Sequence, residues 1–333
     1  MKAPAARAVL GAALLLSTLC AGQAQAQAQA PAPAWPNRAV RVIIPFPPGA
    51  GAENAARLVA NHWSKVFGQG FVIDARPGGN TMIGAEAAAR SAPDGYTLFL
   101  CAASTMVVTP ALMGAKSPIN AQRDFAPVGL VSRLPFFLVV PASVPVNSVA
   151  ELVALAKSKP GAVTYASNGN GTAGHLGFEV LKRQLGVDMT HIPYKGYAQA
   201  LPDLLGGRVT TMMADLVVVG PTLKEGRLRA LAATSLERSK FLPALPTMVE
   251  LGFPGYEVTV WFGVFAPAGM PADIVNRLNG EMRKYLATQE AKDAYEKLGH
   301  EAAPSSPEEL RAQVVSDAEK YGKVIRDANI RLE

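Results

Sequence analysis

Two segments of the sequence place glycines and small polar residues between a predicted strand and the start of a predicted helix. The first is "IPFPPGAGAENAARLVA" at residues 44–60, and the second is "YASNGNGTAGHLGFEVLKRQLG" at residues 165–186. The first N–H groups of a helix have no partner within the helix, and the helix dipole makes that end positive. Both segments are therefore typical of loops that bind a carboxylate or another anion.

The second segment adds neutral hydrogen-bonding groups to its glycines. The predicted strand ends at Ser167, and Asn168 follows it. Gly169 and Gly171 free the backbone, and Thr172 is predicted to be the N-cap of the helix. The alternative is that each segment is a simple turn, and a single loop of this kind is more often a turn than a site. Two such loops in different halves of the chain favour a ligand held between them.

Other polar residues at predicted strand ends are candidates for the same site. Ser104 and Thr105 follow the strand "YTLFLCAA", where they would face a cleft. Tyr194 and Lys195 stand at another strand end. Asp215 follows "VTTMMA" and offers an acceptor to a ligand group or to a bridging water. An equally good interpretation of Asp215 is an acid that ends a strand or a turn.

The sequence lacks the motifs of common enzyme and metal sites. It contains no G-x-S-x-G, no H-E-x-x-H, no G-x-x-x-x-G-K-[ST] and no Cys/His cluster with metal-ligand spacing, and "GAGAEN" lacks the spacing of a dinucleotide fingerprint. Ser167, His175 and Asp215 are the combination that a hydrolase needs. However, Ser167 is not on a nucleophile elbow, and His175 falls in the first turn of a helix. We therefore expect no enzyme, no metal and no cofactor, with a hydrolase as the weaker alternative.

Residues 1–26 have the layout of a secretory signal peptide. Lys2 and Arg7 precede an apolar run at residues 8–19, and "AGQAQAQAQA" offers small-residue cleavage sites. That run is too short to span a membrane, and no later segment is long and apolar enough to do so. We expect a periplasmic protein in which Cys101 is the remaining cysteine, so that no intramolecular disulfide can form.

The basic residues are spread along the chain. The sequence has 32 Lys and Arg against 26 Asp and Glu, a net charge of +6, with no basic run or stripe. Nucleic-acid binding requires clustered positive charge to neutralise phosphates, so we expect no nucleic-acid partner. A mild positive field suits small anionic ligands instead.

Helix and strand patterns alternate along the chain, which predicts an α/β fold with mostly parallel sheets. The segment "RLP" after Ser132 looks like a crossover between two sheets, and "GYEVTVWF" would carry the chain back. We therefore predict two lobes, residues 35–133 plus 257–333 and residues 134–256, with a cleft between them. Two long amphipathic helices are predicted to close the chain, Ala272 to Leu298 and Pro307 to Ala328.

Seven motifs in a fixed order carry a resemblance over the whole chain after the predicted signal peptide. They are "PFPPGAGAENAAR", "ARPGGNTMIGAEAAARSAPDGYTL", "DFAPVGLVS", "YASNGNGTAGHLGFEVL", "PYKGYAQALPDLLGGRV", "LPTMVELGFPGYE" and "WFGVFAPAGMP". With these motifs the chain resembles the Bug (TctC-like) family, the periplasmic solute-binding proteins of tripartite tricarboxylate transporters. The resemblance implies a two-lobed, type II periplasmic-binding-protein fold with two hinge crossings and a ligand cleft between the lobes. It also implies that the strand–helix loops of the two lobes hold a ligand carboxylate, partly through water.

The resemblance assigns ligand contacts to loops of both lobes. They are Phe46, Pro48, Gly49, Gly51 and Ser104 in the first lobe, and Ser167, Asn168, Gly171, Thr172, His175 and Asp215 in the second. The chain departs from the family in the first loop, where Ala52 and Glu53 replace a usual Ser or Thr and a usual Asp. These departures alter the polar groups of that loop and point to a different ligand.

For function, the resemblance implies capture of a small organic carboxylate and its delivery to the membrane subunits of a tripartite tricarboxylate transporter. Di- and tricarboxylates, aromatic carboxylates and acidic amino acids are all candidate ligands. The sequence leaves open a periplasmic sensing protein that presents its bound ligand to a signalling partner. In either case we expect a monomer whose lobes close on the ligand by hinge motion.

Overall fold

The computed structural model describes residues 35–47 and 51–331. The predicted signal peptide, residues 1–26, lies outside the described residues, as do Pro48 and Gly49 of the first loop. In chain order the strands are β1 Val40–Ile44, β2 Phe71–Ala75, β3 Thr97–Ala102, β4 Phe125–Pro135, β5 Phe137–Pro141, β6 Thr164–Ser167, β7 Thr190–Pro193, β8 Thr211–Ala214, β9 Leu228–Ala233, β10 Thr259–Pro267 and β11 Glu301–Ala302.

The helices alternate with these strands over most of the chain. They are α1 Gly51–Phe67, α2 Met82–Ala89, α3 Thr109–Met113, α4 Ala121–Asp124, α5 Val149–Ser158, α6 Ala173–Leu185, α7 Tyr197–Leu205, α8 Leu216–Lys224, α9 Ala272–Ala287, α10 Gln289–Glu296 and α11 Pro307–Asp327. A π-helical turn, Ser104–Val108, leads into α3, and a 3₁₀ turn, Gly114–Lys116, follows it. Within the described ranges, no helix combines the length and apolar character that crossing a membrane requires.

The strands form two separate sheets, one in each lobe. The first sheet has the order β11-β4-β10-β3-β1-β2, and the second has the order β7-β6-β8-β5-β9. Every residue of β3 and of β5 is buried. Strands covered on both faces are built from near-continuous apolar residues, as "TLFLCA" and "FLVVP" are.

Both sheets are mixed rather than mostly parallel. Strand β1 is parallel to β2 and β3, and β6 is parallel to β7 and β8. However, β10 is antiparallel to β3 and β4, and β5 is antiparallel to β8 and β9. The expectation of mostly parallel sheets was wrong because β5 and β10, the strands that follow the two crossings, insert against the direction of the strand–helix–strand units.

The chain passes between the sheets twice, and the two passages are hydrogen-bonded to each other. The first is at Phe136, between β4 and β5, and the second lies between Ala233 and Thr259. The hydroxyl of buried Thr234 lies 2.9 Å from the carbonyl oxygen of Phe136 and 2.7 Å from that of Val258. One side chain therefore ties both crossings at the point where the lobes meet.

Apolar side chains fill the space on both faces of the second sheet. Leu138 and Val140 belong to the cluster on one face, and Phe137 and Val139 belong to the cluster on the other, as the two-residue period of a strand requires. Leu176 of α6, although it belongs to the second lobe, packs into the core cluster of the first lobe. The two lobes therefore share apolar contact beside the cleft.

The helical C-terminal region differs from the sequence prediction at one point. The segment predicted as one helix from Ala272 to Leu298 is two helices, α9 and α10, separated at Thr288. Thr288 has an extended backbone, with ψ of 151°, and its side chain accepts a hydrogen bond from the backbone N–H of Ala291. This N-cap starts a new helix where the apolar periodicity alone predicted continuation. The start of α11 at Pro307, behind a capping box at Ser306, agrees with the prediction.

Candidate ligand-binding site

The loop between β6 and α6 has the backbone shape that its glycines predict. Gly169 and Gly171 have φ angles of +135° and +73°, in the region that L side chains rarely adopt. The N–H of Gly169 bonds the Ser167 hydroxyl at 3.2 Å, which fixes the start of the loop. The chain then turns directly into the first residues of α6.

Thr172 occupies the predicted N-cap position of α6, but its side chain does not cap the helix. The hydroxyl instead donates to the carbonyl oxygen of Gly169 at 2.7 Å. By contrast, the side chains of Ser148, Asp215 and Ser306 accept hydrogen bonds from the first N–H groups of their helices. The N-terminus of α6 is therefore left without the side-chain acceptor that its sequence predicts, and its orphan donors stay open to a ligand.

A cavity of about 180 Å³ lies at this helix end, between the lobes. It is lined by Ala103, Ser104, Val108, Phe136, Asn168, Gly171, Thr172, Ala173, Leu176, Thr259, Val260 and Tyr321. These residues come from both lobes and from both crossings, and no charged side chain is among them in the part of the chain that the structure describes. Pockets for drug-sized ligands measure roughly 300–1,000 Å³, so this one suits a smaller molecule.

One polar atom at the cavity is buried without a partner. Oδ1 of Asn168 makes no hydrogen bond in the part of the chain that the structure describes. A buried acceptor without a donor costs free energy, of the order of 1–3 kcal/mol, unless a ligand or water satisfies it. At this part of the cavity wall, the Oδ1 atom of Asn168 can therefore accept a hydrogen bond from a ligand or a water molecule.

The structure brings four of the predicted contact residues to this cavity. Ser104 reaches it from the π-helical turn of the first lobe, and Asn168, Gly171 and Thr172 reach it from the loop of the second. Two polar segments that are far apart in sequence thus face one space, which is the juxtaposition that the sequence predicted.

Ser167 and His175 lie behind the loop rather than at the cavity wall. Ser167 is fully buried, and its hydroxyl lies 2.7 Å from Nε2 of His191. Nδ1 of His175 accepts a hydrogen bond of 3.0 Å from the N–H of Gly171. The rings of His175 and His191 are stacked, with centroids 3.9 Å apart. His191 was not among the predicted site residues.

Asp215 is a helix cap in this structure. Its Oδ1 accepts hydrogen bonds from the N–H groups of Val217 and Val218, at 2.9 and 3.2 Å. Burial raises the pKa of the Asp215 carboxyl, and the two backbone bonds oppose that rise. Asp215 is not among the residues that line the cavity, and its cap supports the strand-end interpretation. The ligand contact that the resemblance implies for Asp215 stays a prediction.

Ser167, His175 and Asp215 are not connected as a catalytic triad. Ser167 bonds His191, and Asp215 bonds the backbone of its own helix. Within the described residues, no group of three or more His, Cys, Asp or Glu side chains could hold a metal ion.

The first-lobe loop is described only at its two ends. Phe46 packs its ring against Phe262 of β10, with centroids 6.2 Å apart, and is not among the residues that line the cavity. Gly51 is the first residue of α1, and the predicted contacts at Pro48 and Gly49 lie outside the described residues. The proposed role of this loop stays a prediction.

Glu53, where the chain departs from the family pattern, is buried in the first turn of α1. Nε of Arg57, one turn later, donates to its Oε1 at 2.9 Å. The negative charge of Glu53 is therefore balanced within its own helix.

The chain that carries this site is similar to a known protein family over most of its length. The family model described as the tripartite tricarboxylate transporter family receptor, TctC, matches residues 55–330. The chain belongs to the TctC receptor family. Protein BugT of Bordetella pertussis is 33% identical over 299 residues, which cover 90% of this chain and 92% of BugT.

Solved structures of TctC-type proteins agree with this assignment. Rpa4515 of R. palustris, solved with adipate, is 36% identical and has a TM-score of 0.72, with 89% of this chain and 99% of that chain covered. MatC of Rhodopseudomonas palustris, solved with bound malate, is 30% identical and has a TM-score of 0.68, with 87% and 100% covered. The predicted family and the predicted two-lobed fold are thereby confirmed. The TctC family is a family of solute-binding receptors.

Proposed function

We propose that this TctC-family protein captures a small organic carboxylate between its lobes and delivers it to the membrane subunits of a tripartite tricarboxylate transporter. The observation that carries the proposal is the N-terminus of α6, which lacks a side-chain cap and opens on a cavity lined by both lobes. A helix N-terminus bears roughly half a positive charge and unpaired N–H donors. The protein acts in the periplasm, after removal of residues 1–26.

The cavity wall favours a compact ligand with a hydrocarbon body. The donors at one end are neutral, from Ser104 of the first lobe and the start of α6 in the second. The remaining wall is mainly apolar and includes Phe136, Leu176 and Val260. A carboxylate at the polar end can place methylene groups or a ring against these side chains. The relatives solved with adipate and malate bind ligands of this size.

Binding is coupled to closure of the lobes in this proposal. Each lobe contributes part of the cavity wall, so a ligand is fully enclosed only when the lobes meet. The crossings tied by Thr234 provide the hinge. Small-angle scattering should show a smaller radius of gyration with ligand than without it, and equal radii would count against closure.

A thermal-shift screen of the purified protein tests the ligand class. We expect adipate, malate, citrate, benzoate or glutamate to raise the melting temperature, and glucose and maltose to leave it unchanged. A ligand at 100 times its Kd stabilises the folded protein by about 2.7 kcal/mol. Stabilisation by the neutral sugars and by none of the carboxylates would overturn the proposal.

A further inference from the structure

Two histidines hold the two ends of the ligand loop. Nε2 of His191 on β7 bonds the hydroxyl of Ser167, where the loop begins, at 2.7 Å. Nδ1 of His175 on α6 bonds the N–H of Gly171, where the loop ends, at 3.0 Å. The two imidazole rings are stacked at 3.9 Å with an interplanar angle of 10°. We call His175 and His191 the histidine pair.

The hydrogen bond to Gly171 fixes the protonation state of His175. A backbone N–H can only donate, so Nδ1 must be an unprotonated acceptor and the ring proton must be on Nε2. A doubly protonated His175 has no acceptor left and would lose this bond. Protonation of either ring would also place a charge against the stacked neighbour, and two charged rings would repel each other.

Among the described residues, the groups around the histidine pair do not offer a free counter-charge. Tyr165 of β6 stacks on His191 and donates its hydroxyl proton to Oε1 of Glu179 at 2.7 Å. Lys182 donates to the same oxygen at 2.8 Å. A second cavity, of about 470 Å³, is bordered by His175, Glu179 and Lys182 together with Arg331 near the chain end. The carboxylate of Glu179 is thus already paired with Lys182, and the other charged residue described at this cavity, Arg331, is positive.

The pKa values agree with a pair that is neutral at neutral pH. Burial is the main cause that lowers the pKa of His175, with Lys182 adding to it and Glu179 opposing it. Burial, followed by the neighbouring His175, lowers the pKa of His191 to about 4. The neutral form that the hydrogen bond of His175 requires is therefore also the form that burial favours for both rings.

We propose that His175 and His191 are positioning residues: as neutral stacked rings they hold the loop from Ser167 to Thr172 in the shape that binds the ligand, and uptake of a proton by the pair releases it. This inference rests on the proposed function, because the loop must be the ligand site. It differs from the direct contact that the family resemblance assigned to His175. The ligand meets the far side of the loop, and the histidine pair acts through the backbone.

The sign of one NMR shift distinguishes positioning from direct contact. The pKa of each histidine is measured from its Cε1 proton, with and without saturating adipate or, if adipate does not bind, the carboxylate that stabilises most in the thermal screen. The single variants His175→Asn and His191→Gln assign the resonances. If ligand binding requires the neutral pair, then by linkage the bound ligand lowers the pKa of the pair.

We expect a fall of at least half a pH unit, which corresponds to about threefold tighter ligand binding by the neutral pair. A bound anion in direct contact with a histidinium would raise the pKa instead. A rise, or no change, overturns the inference. The proposed function fails in a different way, because then no carboxylate stabilises the protein in the thermal screen.

Two substitutions at His191 separate positioning from packing. His191→Gln keeps a hydrogen-bonding group near Nε2, and we expect its affinity for the same carboxylate at pH 7.5 to stay within threefold of wild type. His191→Phe keeps the stacked ring but removes the partner of Ser167, and we expect at least tenfold weaker binding by folded protein. If folded His191→Phe binds as tightly as wild type, the ring only packs and the positioning role of His191 is overturned.

Discussion

Replacement of Gly171 by valine tests whether the loop must meet the other lobe. Gly171 has φ of +73°, and a Cβ atom there would lie 2.7 Å from Cδ1 of Leu112 and 3.9 Å from Cγ1 of Val108. Leu112 belongs to α3 of the first lobe, whereas Gly171 belongs to the loop of the second. The added side chain therefore enters the space where the lobes come together.

Two costs of different origin follow from Gly171→Val. The left-handed backbone costs an L residue about 1–2 kcal/mol, and this cost applies whether the lobes are open or closed. Overpacking against Leu112 costs typically about 1–3 kcal/mol and applies only when the lobes are together. Because each 1.4 kcal/mol is a factor of ten, the second cost weakens ligand binding by about 5- to 150-fold.

The matched control is Gly186→Val at the other end of α6. Gly186 has φ of +60°, and a Cβ atom there would meet nothing within 4 Å. We expect both variants to lose comparable stability in urea unfolding, but only Gly171→Val to lose affinity in calorimetry with the best carboxylate of the thermal screen.

Relief of the clash gives the second control. The double variant Gly171→Val with Leu112→Ala removes the methyl groups that the new side chain would strike, so we expect it to recover part of the lost affinity. The reasoning is refuted if folded Gly171→Val binds as tightly as wild type, or if the double variant binds no better than the single one.

Three further predictions concern the hinge, stability in acid and Cys101, the one cysteine among the residues that the structure describes. Thr234→Val removes the hydroxyl that ties both crossings, and should lower the free energy of unfolding by about 1–3 kcal/mol in urea titration; an unchanged midpoint would contradict the hinge role. Burial lowers the pKa of His300 from an ordinary 6.5 to about 4, so the unfolded chain binds this proton first. The contribution of His300 to stability should be complete above about pH 6.5 and fall by up to about 3 kcal/mol as the pH falls to 4, in addition to the loss from the histidine pair. His300→Gln should therefore make the total decline shallower than in wild type; equal slopes would refute it. Cys101 is fully buried and burial raises its thiol pKa, so in protein lacking residues 1–26 a thiol reagent should react only after unfolding, and rapid labelling of native protein would contradict its core position.

Much of the fold follows from local patterns in the sequence. The apolar runs that became β3, β5 and β10 and the caps that begin α11 act over a few residues, so they could be predicted from the sequence alone. The direction of the strands could not be predicted from the sequence. It depends on which strand each crossing segment pairs with in the sheet that it enters. The break at Thr288 was missed since a single cap overrode an unbroken helical periodicity.

The candidate site was predictable in part for the same reason. The glycines and polar residues of the second loop predict its backbone conformation and its position before a helix. The sequence could not predict that the Thr172 hydroxyl would leave the helix uncapped. Its acceptor, the carbonyl oxygen of Gly169, is placed by the φ angles of the folded loop. His191 was missed because its place behind the loop depends on strand pairing: the parallel register of β6 and β7 sets it opposite Tyr165.

A crystal structure of the protein with the carboxylate that stabilises it most tests the central claim most directly. We expect a ligand carboxylate within hydrogen-bond distance of the N-terminal N–H groups of α6, with the Ser104 hydroxyl of the other lobe also in contact. We expect the hydrocarbon part of the ligand to lie against Phe136 and Val260. A carboxylate bound elsewhere, such as in the second cavity beside Lys182 and Arg331, with the N-terminus of α6 bonded only to water, would contradict it.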